Sequence, residues 1–430
     1  MRILVIGNGG REHAIIWKLS LSPLVKKIFC APGNGGTGSI AENVLLDQYN
    51  PQTLAEFAEK EHIDLTVVGP ENYLAMGIVD VFQQKGLPIY GPSLAAAKLE
   101  ASKAYAKDFM KKYHIPTAGF ETFTDSAAAI AYIEKIGAPV VIKADGLAAG
   151  KGVIIAFEKQ DAIEAIDEVM NRRLFGEAGA TVVIEEYLEG EEVSLLAFCD
   201  GETAIPMLPV QDHKRIGDGD TGPNTGGMGT YTPTTVFTSE VAEKVKREIL
   251  DPTIQAMKLQ GTPFIGTLFL GLMITQKGPK LIEYNVRFGD PETQAVLPLL
   301  ETDLAKIFIS AVEGKLTEKL VSWKAGNTSI CVVAASGGYP GKYEEGKLIT
   351  GLEQVKNSLV FQAGTKMTAK NQIVTAGGRV LNLVHIGNNI MEAIAGAYDD
   401  IQKIRFDGIY YRKDIGQREL ERFKEIKNVH

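Results

Sequence analysis

Cysteine is scarce: Cys30, Cys199 and Cys331 are the only three in 430 residues, widely separated and odd in number. No two stand at a metal-ligand spacing, so free thiols in a reducing compartment are the expectation, each a small residue among apolar neighbours. Long apolar runs are missing too, none approaching the roughly 18 residues that a membrane span requires. The chain opens directly on a strand, so no signal or transit segment is expected, and a cytoplasmic location follows by elimination. Positive charge is neither abundant nor concentrated. Lysine and arginine number 45 against 53 acids, for a formal net charge of −8, and the basic residues are scattered, which argues against non-specific nucleic-acid binding. No internal repeat, coiled coil or low-complexity tract is present.

What the chain does have is glycine, 45 residues of it, in clusters that mark loops. The length leaves room for about three domains. Through residue 102, short apolar strands alternate with helical periodicity, which predicts a parallel sheet with right-handed crossovers. Ligands in such sheets gather at the carboxyl ends of the strands. Three loops converge there, "GNGGREH", "APGNGGTG" and "GPENY". Gly7, Gly9 and Gly10 allow successive N–H groups to face one concavity at a helix start. The dinucleotide fingerprint nevertheless fails twice: Glu12 replaces its third glycine, and no carboxylate follows "KKIFCAPGN". Arg11, Asn34 and Glu71 point instead to a small phosphorylated, hydroxylated ligand. Tight turns without a ligand would explain each loop singly.

A helix over "LAAAKLEASKAYAKDFMKKYH" leads to "APVVIKADGLAAGKGVIIA", which reads as a β-hairpin around a flexible loop. A helix near 160–174 and several strands follow, then the long polar loop "QDHKRIGDGDTGPNTGGMGTYTP". Loops of that length inside a domain are usually functional. After a helix near 238–260, "TLFLGLMIT" and "KLIEYNVRF" form a hairpin across "QKGP". From about 325 to 425 a small α/β domain closes the chain.

Three stretches carry chemistry. In "KLIEYNVRFGDPE", strand alternation projects Glu283, Asn285 and Arg287 together. A carboxylate and an amide oxygen suit Mg²⁺, which completes its octahedron with water and phosphate, and Arg287 offers a planar fork for an anion. An ordinary solvated face would look the same, but Gly289, Asp290 and Glu292 add a turn and two more carboxylates. In "VVIKADGLAAGKGV", Lys143 ends a buried strand and so needs an anion; Lys151 lies beyond a loop able to fold over a polyphosphate, although the P-loop pattern is not met. A mobile hairpin with two snorkelling lysines is the alternative. In "VVIEEYLEGEEVS", a buried strand breaks into glutamates beside an apolar face, which suits an adenine edge or, equally, a solvated surface.

In this order, a lysine-bearing helix, a lysine with a glycine loop, the "EEYL" strand, the "GPNTGGMG" loop and the "EYN" strand resemble the ATP-grasp ligases. Within them, "GNGGREHA", "KADGLAAGKGV", "DHKRIGDGDTGPNTGGMG" and "RFGDPETQ" resemble the glycinamide ribonucleotide synthetase family. The resemblance implies an α/β fold with a Rossmann-like parallel-sheet domain (1–102), an ATP-grasp domain (103–324, with a mobile lid at 123–190) and a C-terminal α/β domain (325–425). It implies ATP-dependent joining of glycine to 5-phospho-β-D-ribosylamine through a glycyl phosphate, in purine biosynthesis. Lys103 and Lys143 would meet the ATP phosphates, with Gly150, Lys151 and Gly152 over them. Glu185, Glu186, Tyr187 and Leu188 would line the adenine, and Glu192 the ribose. Glu283 and Asn285 would hold Mg²⁺ or Mn²⁺. Since "GTLFLGLMIT" adds no acid, the number of ions stays open. Arg287, Lys143 and Asp290 would be catalytic. Gly9, Gly10, Arg11, Glu12, Asn34, Glu71, Asp212, Lys214, Asn224 and Gly226, with Arg287, would hold the sugar phosphate and glycine. Segments 146–152 and 222–229 would close over the site. A monomer with small-molecule substrates, and with no nucleic-acid or membrane partner, is expected. The rival readings are another ATP-grasp ligase or carboxylase with a different acceptor, a nicotinamide oxidoreductase, and a non-catalytic ATP-binding protein.

Overall fold

A computed structural model describes residues 1–146 and 152–429. Strands β1 (Arg2–Gly7), β2 (Lys27–Pro32), β3 (Glu42–Asn43), β4 (Leu65–Val68) and β5 (Ile89–Tyr90) make a parallel sheet in the order β3-β2-β1-β4-β5. Alternation along β1 serves two cores. Leu4 and Ile6 pack with Phe29 on one face, while Ile3 and Val5 pack with Ala14, Ile15 and Cys30 on the other. A strand buried on both faces is the pattern of a parallel sheet covered by helices.

The helix expected over 94–114 is two helices, Leu94–Ala101 and Lys103–Lys112. Ser102 between them is extended, and its hydroxyl accepts the amide of Tyr105 at 3.1 Å. A serine that caps through its side chain offers the backbone an alternative to continuing the helix. The break starts a fresh helix at Lys103.

Next comes an antiparallel sheet built from β6 (Phe120–Phe123), β7 (Val140–Ala144), β8 (Val153–Ala156) and β9 (Val182–Glu186), ordered β6-β9-β7-β8. β7 and β8 are the expected hairpin. The helices Ser126–Ile136 and Lys159–Ile166 bury Ala129, Ile133, Ala162 and Ile166 against it. A second antiparallel sheet is ordered β11-β10-β16-β17, from β10 (Glu191–Asp200), β11 (Ala204–Pro206), β16 (Ile265–Thr275) and β17 (Gly278–Asn285). The segment leading into β6 runs beside β17, where Leu281 receives the hydroxyl of Thr117 at 2.6 Å and donates its amide to Pro116.

The long polar segment departs from expectation. It contains β12 (Gln211–Asp212), a short hairpin of β13 (Arg215–Gly217) and β14 (Thr221–Asn224), and β15 (Gly229–Thr232). β12 and β15 join β18 (Thr328–Ala335), β19 (Leu359–Gln362) and β22 (Arg379–Gly387), so one sheet runs β12-β15-β18-β22-β19. The small strands β20 (Thr365–Met367) and β21 (Ile373–Thr375) pair separately. Thr230 lies opposite Cys331, and Tyr231 opposite Ile330. The C-terminal sheet therefore takes two of its five strands from the middle of the chain.

Candidate active site

The site forms along β17 and its continuation. Asn285 Oδ1 accepts from Arg287 Nη2 at 3.2 Å, and Arg287 is bracketed by two acids of the N-terminal region: Glu71 at 3.1 Å and Glu100 at 3.0 Å. These partners outweigh burial and keep the guanidinium pKa above its ordinary value. Burial, only partly offset by Arg287, lifts the Glu100 carboxyl, whose oxygen also takes the Val286 amide at 2.7 Å. Glu283 behaves oppositely. Burial opposes its ionisation, but Lys214, Lys143, Lys103 and a hydrogen bond with Asn285 outweigh it and hold its carboxyl below the ordinary range. A carboxylate ringed by three lysines is a place where anionic phosphates and a cation can be exchanged for protein charges.

Each lysine arrives from a different element. Lys103 opens its helix and donates to the Gly146 carbonyl at 2.9 Å. Asp145 caps that same helix, taking the Ala104 amide at 3.1 Å and the Ser102 hydroxyl at 3.2 Å. The root of the β7–β8 loop is thereby tied to the helix start. Lys143, 3% exposed, lies 2.8 Å from Glu185 Oε1 and 3.3 Å from the Ile282 carbonyl. Lys214 pairs at 2.5 Å with Glu192. Gly152, across from the end of β7, accepts the Ala144 amide at 2.8 Å. Gly150 and Lys151 lie outside the described residues.

The "EEYL" residues divide. Glu185 is buried between Lys143 and a lysine not foreseen, Lys107, whose ammonium is 2.7 Å from Oε2. Glu186 pairs with Lys280 at 2.5 Å, and the Tyr187 ring meets Phe157 edge-on at 5.4 Å. The strand ends there, with Leu188 just beyond it.

At the N-terminal turn, Glu12 explains its own departure from the fingerprint. Its carboxylate takes the Gly9 amide at 2.6 Å and fills the concavity that a third glycine would leave open. The fit requires bare backbone around it: a Cβ built on Gly69 would stand 1.9 Å from Glu12 Oε1. Arg11 is buried too, paired with Glu12 at 2.5 Å and donating to the Phe288 carbonyl at 3.0 Å. Asn34 bridges the Asn8 carbonyl at 2.9 Å and the Gln362 carbonyl at 2.8 Å. Gly10 packs against Asn382 and Gln294. Asp290 joins this group: it takes the Arg11 amide at 3.4 Å and Gln294 at 2.8 Å, and pairs with Arg379 at 3.3 Å. Arg379 also donates to the carbonyls of Gly226 and Asp290, both at 2.7 Å. The residues assigned to the sugar phosphate thus fall in two places. Glu71 and Lys214 face the β17 site, whereas Gly9, Gly10, Arg11, Glu12 and Asn34 weld the N-terminal turn to the C-terminal sheet.

Asp212 lies between them, against Gly227 and near a second buried acid, Glu292. Burial and the neighbouring carboxylate hold Asp212 well above the ordinary range, and burial raises Glu292, whose Oε1 takes the Ser194 hydroxyl at 3.3 Å. Asn224 sits on β14 opposite Arg215. The chain's end fastens this segment. Arg412, 1% exposed, grips Asp220 at 2.8 Å and the Arg215 carbonyl at 3.0 Å, and Arg422 donates to Gln211 at 3.0 Å.

Glu283 and Asn285 together suit a divalent cation. Their oxygens are hard donors, and among the described residues no three His, Cys, Asp or Glu are grouped to hold a metal unaided. Two protein oxygens with the rest of the shell from water and phosphate is the Mg²⁺ pattern.

Residues 1–100, 101–293 and 329–418 match the N, ATP-grasp (A) and C domains of phosphoribosylglycinamide synthetase. The chain belongs to the phosphoribosylglycinamide synthetase family. It is 52% identical over 424 residues to the phosphoribosylamine–glycine ligase of Nostoc sp., covering 97% of this chain and 99% of that protein. The ligase of Halalkalibacterium halodurans is 50% identical over 421 residues, with 98% and 97% covered. Among solved structures, the phosphoribosylamine–glycine ligase of Thermotoga maritima superposes with a TM-score of 0.86 at 35% identity, covering 96% of this chain and 100% of that one. Biotin carboxylase from Campylobacter jejuni, at 16% identity and TM-score 0.72, covers 95% and 92% and shares the fold alone. As a phosphoribosylglycinamide synthetase of ATP-grasp type, the chain is an ATP-dependent ligase whose family works with a divalent metal.

Four participants in this synthetase site were not foreseen: Lys107, Glu100, Arg379 and the pairing of Glu292 with Asp212. Only Lys107 left a signal, standing four residues from Lys103 and so on the same helix face.

Proposed function

We propose that the chain joins glycine to 5-phospho-β-D-ribosylamine, forming glycinamide ribonucleotide, ADP and phosphate, as a cytoplasmic monomer acting in purine biosynthesis. The observation that carries this is the Glu283–Asn285 pair facing Lys103, Lys143 and Lys214, with Arg287 held beside it by Glu71 and Glu100. ATP lies between the β6–β9 sheet and β17. Its phosphates meet Lys103 and Lys143. The adenine is read at Glu185, Glu186, Tyr187 and Leu188, and the ribose by Glu192. Mg²⁺ or Mn²⁺ held by Glu283 and Asn285 would draw charge from the transferring phosphoryl group.

A carboxylate is a poor acyl donor, so the oxygen of glycine first attacks the γ-phosphorus, the bond to the bridging oxygen breaks and ADP is released. Arg287, stiffened by two acids, orients that carboxylate, and Lys143 meets the phosphate charge equally before and during transfer. The amine of phosphoribosylamine then attacks the acyl carbon, phosphate leaves and the amine sheds a proton. An acyl phosphate hydrolyses in open water, so the site must exclude water while it exists. The sugar phosphate is placed against Glu71, Lys214 and the loop held by Arg379.

ADP formation measured with each substrate omitted in turn tests this. It should require both glycine and phosphoribosylamine. Turnover without glycine, or with bicarbonate in its place, would overturn the assignment.

A further inference from the structure

Lys107 is 2% exposed, on a helix that also buries Ala106, Phe109 and Met110, and its ammonium stands 5.8 Å from the centre of the Phe120 ring. Desolvating an ammonium there costs several kcal/mol unless anions compensate. Its ammonium is 2.7 Å from Glu185 Oε2 and 2.7 Å from the Thr117 hydroxyl. Lys143 stands at the other oxygen of the same carboxylate, 2.8 Å away, but makes no aligned hydrogen bond to it. Its ammonium instead reaches the Ile282 carbonyl at 3.3 Å, one residue before Glu283. Two lysines thus share one carboxylate, and the buried trio carries a formal surplus of one positive charge.

We propose that Lys107 is a positioning residue for the nucleotide: it shares Glu185 with Lys143, so that the charge of Lys143 stays uncancelled and directed at the phosphates. Without Lys107, Glu185 and Lys143 would close into a neutral pair. This rests on the reading that Lys143 meets ATP. Uncancelled charge attracts ground-state and transition-state phosphate alike, so its loss should appear in KM for ATP and not in kcat.

The test uses the full chain and three variants, K107M, K107Q and K107R, with ADP binding measured by calorimetry and KM measured for ATP and for glycine. K107Q retains hydrogen-bonding capacity toward Glu185 and Thr117 while removing the charge, so it decides the matter even where K107M fails to fold. Relative to wild type, K107M and K107Q should weaken ADP binding and raise KM for ATP by about tenfold or more, since one charge within roughly 10 Å at an effective dielectric near 20 exceeds a tenfold effect. KM for glycine and kcat at saturating ATP should stay within about twofold, and K107R should stay near wild type. K107Q binding ADP as wild type does, or K107R as weak as K107Q, would overturn the proposal. A wild-type protein that binds neither ADP nor ATP would overturn the functional reading itself.

Discussion

Acidification should destabilise this protein well above the pH at which ordinary carboxylates titrate. His13 Nδ1 accepts the Gln362 amide of β19 at 2.9 Å, and its ring packs on Phe361 with centroids 5.7 Å apart. Accepting through that nitrogen requires the neutral imidazole, and burial lowers its pKa from 6.5 to about 4. His213, 1% exposed beside Lys214, is likewise lowered to about 4, by burial and then by Arg418 and Arg412. An unfolded chain protonates both below 6.5, whereas the folded protein does so only near 4. The unfolded state therefore binds more protons across that window, and stability present above pH 6.5 is lost as pH falls. Each pH unit removes about 1.4 kcal/mol per histidine, so about 2 kcal/mol apiece is gone by pH 5. Urea unfolding at constant ionic strength between pH 7.5 and 5 measures it. His13→Asn, which keeps an acceptor but no titration in this range, should retain about half of the histidine-dependent loss. Parallel pH slopes for the two proteins would refute the assignment of a buried neutral His13, because the acids common to both cancel in the difference.

Further expectations concern the site and its supports. Glu283→Gln should abolish divalent-dependent ADP formation with far-UV circular dichroism unchanged; undiminished turnover would remove Glu283 from the metal. Chelation should stop wild-type turnover, and Mg²⁺ or Mn²⁺ should restore it, the relative rates deciding between them. Arg11→Ala strands the carboxylate of Glu12 in a buried place and should cost about 3–5 kcal/mol of stability in a denaturant titration; an unchanged midpoint would mean that Arg11 is free for a ligand. Gly69→Ala should cost about 1–3 kcal/mol by pressing on Glu12, again read by unfolding.

Local pattern carried the reading far where local physics decides. The alternation in "EYNVR" brings Glu283, Asn285 and Arg287 together because a strand has period two. The β7–β8 hairpin and the buried β1 follow from apolar runs and turn residues. Ser102 was legible in principle, yet apolar periodicity on both sides masked a single hydroxyl that competes with the helix. What the sequence could not display were pairings of distant partners: Lys107 with Glu185, Glu100 with Arg287, Arg379 with Asp290 and Gly226, and β15 with β18. Side chains chosen for partners tens or hundreds of positions away leave no periodic trace. Glu12 shows the same limit, since a missing glycine signals only that a pattern fails and not what occupies the space.

The placement of β15 beside β18 has a consequence for any attempt to shorten this protein. A truncation just before Thr328 would do more than discard a cap. It would strip the hydrogen-bonding partner from Gly229–Thr232, leave a raw β edge exposed to other chains, and unmoor the Asp212–Lys214 arm whose lysine acts on Glu283.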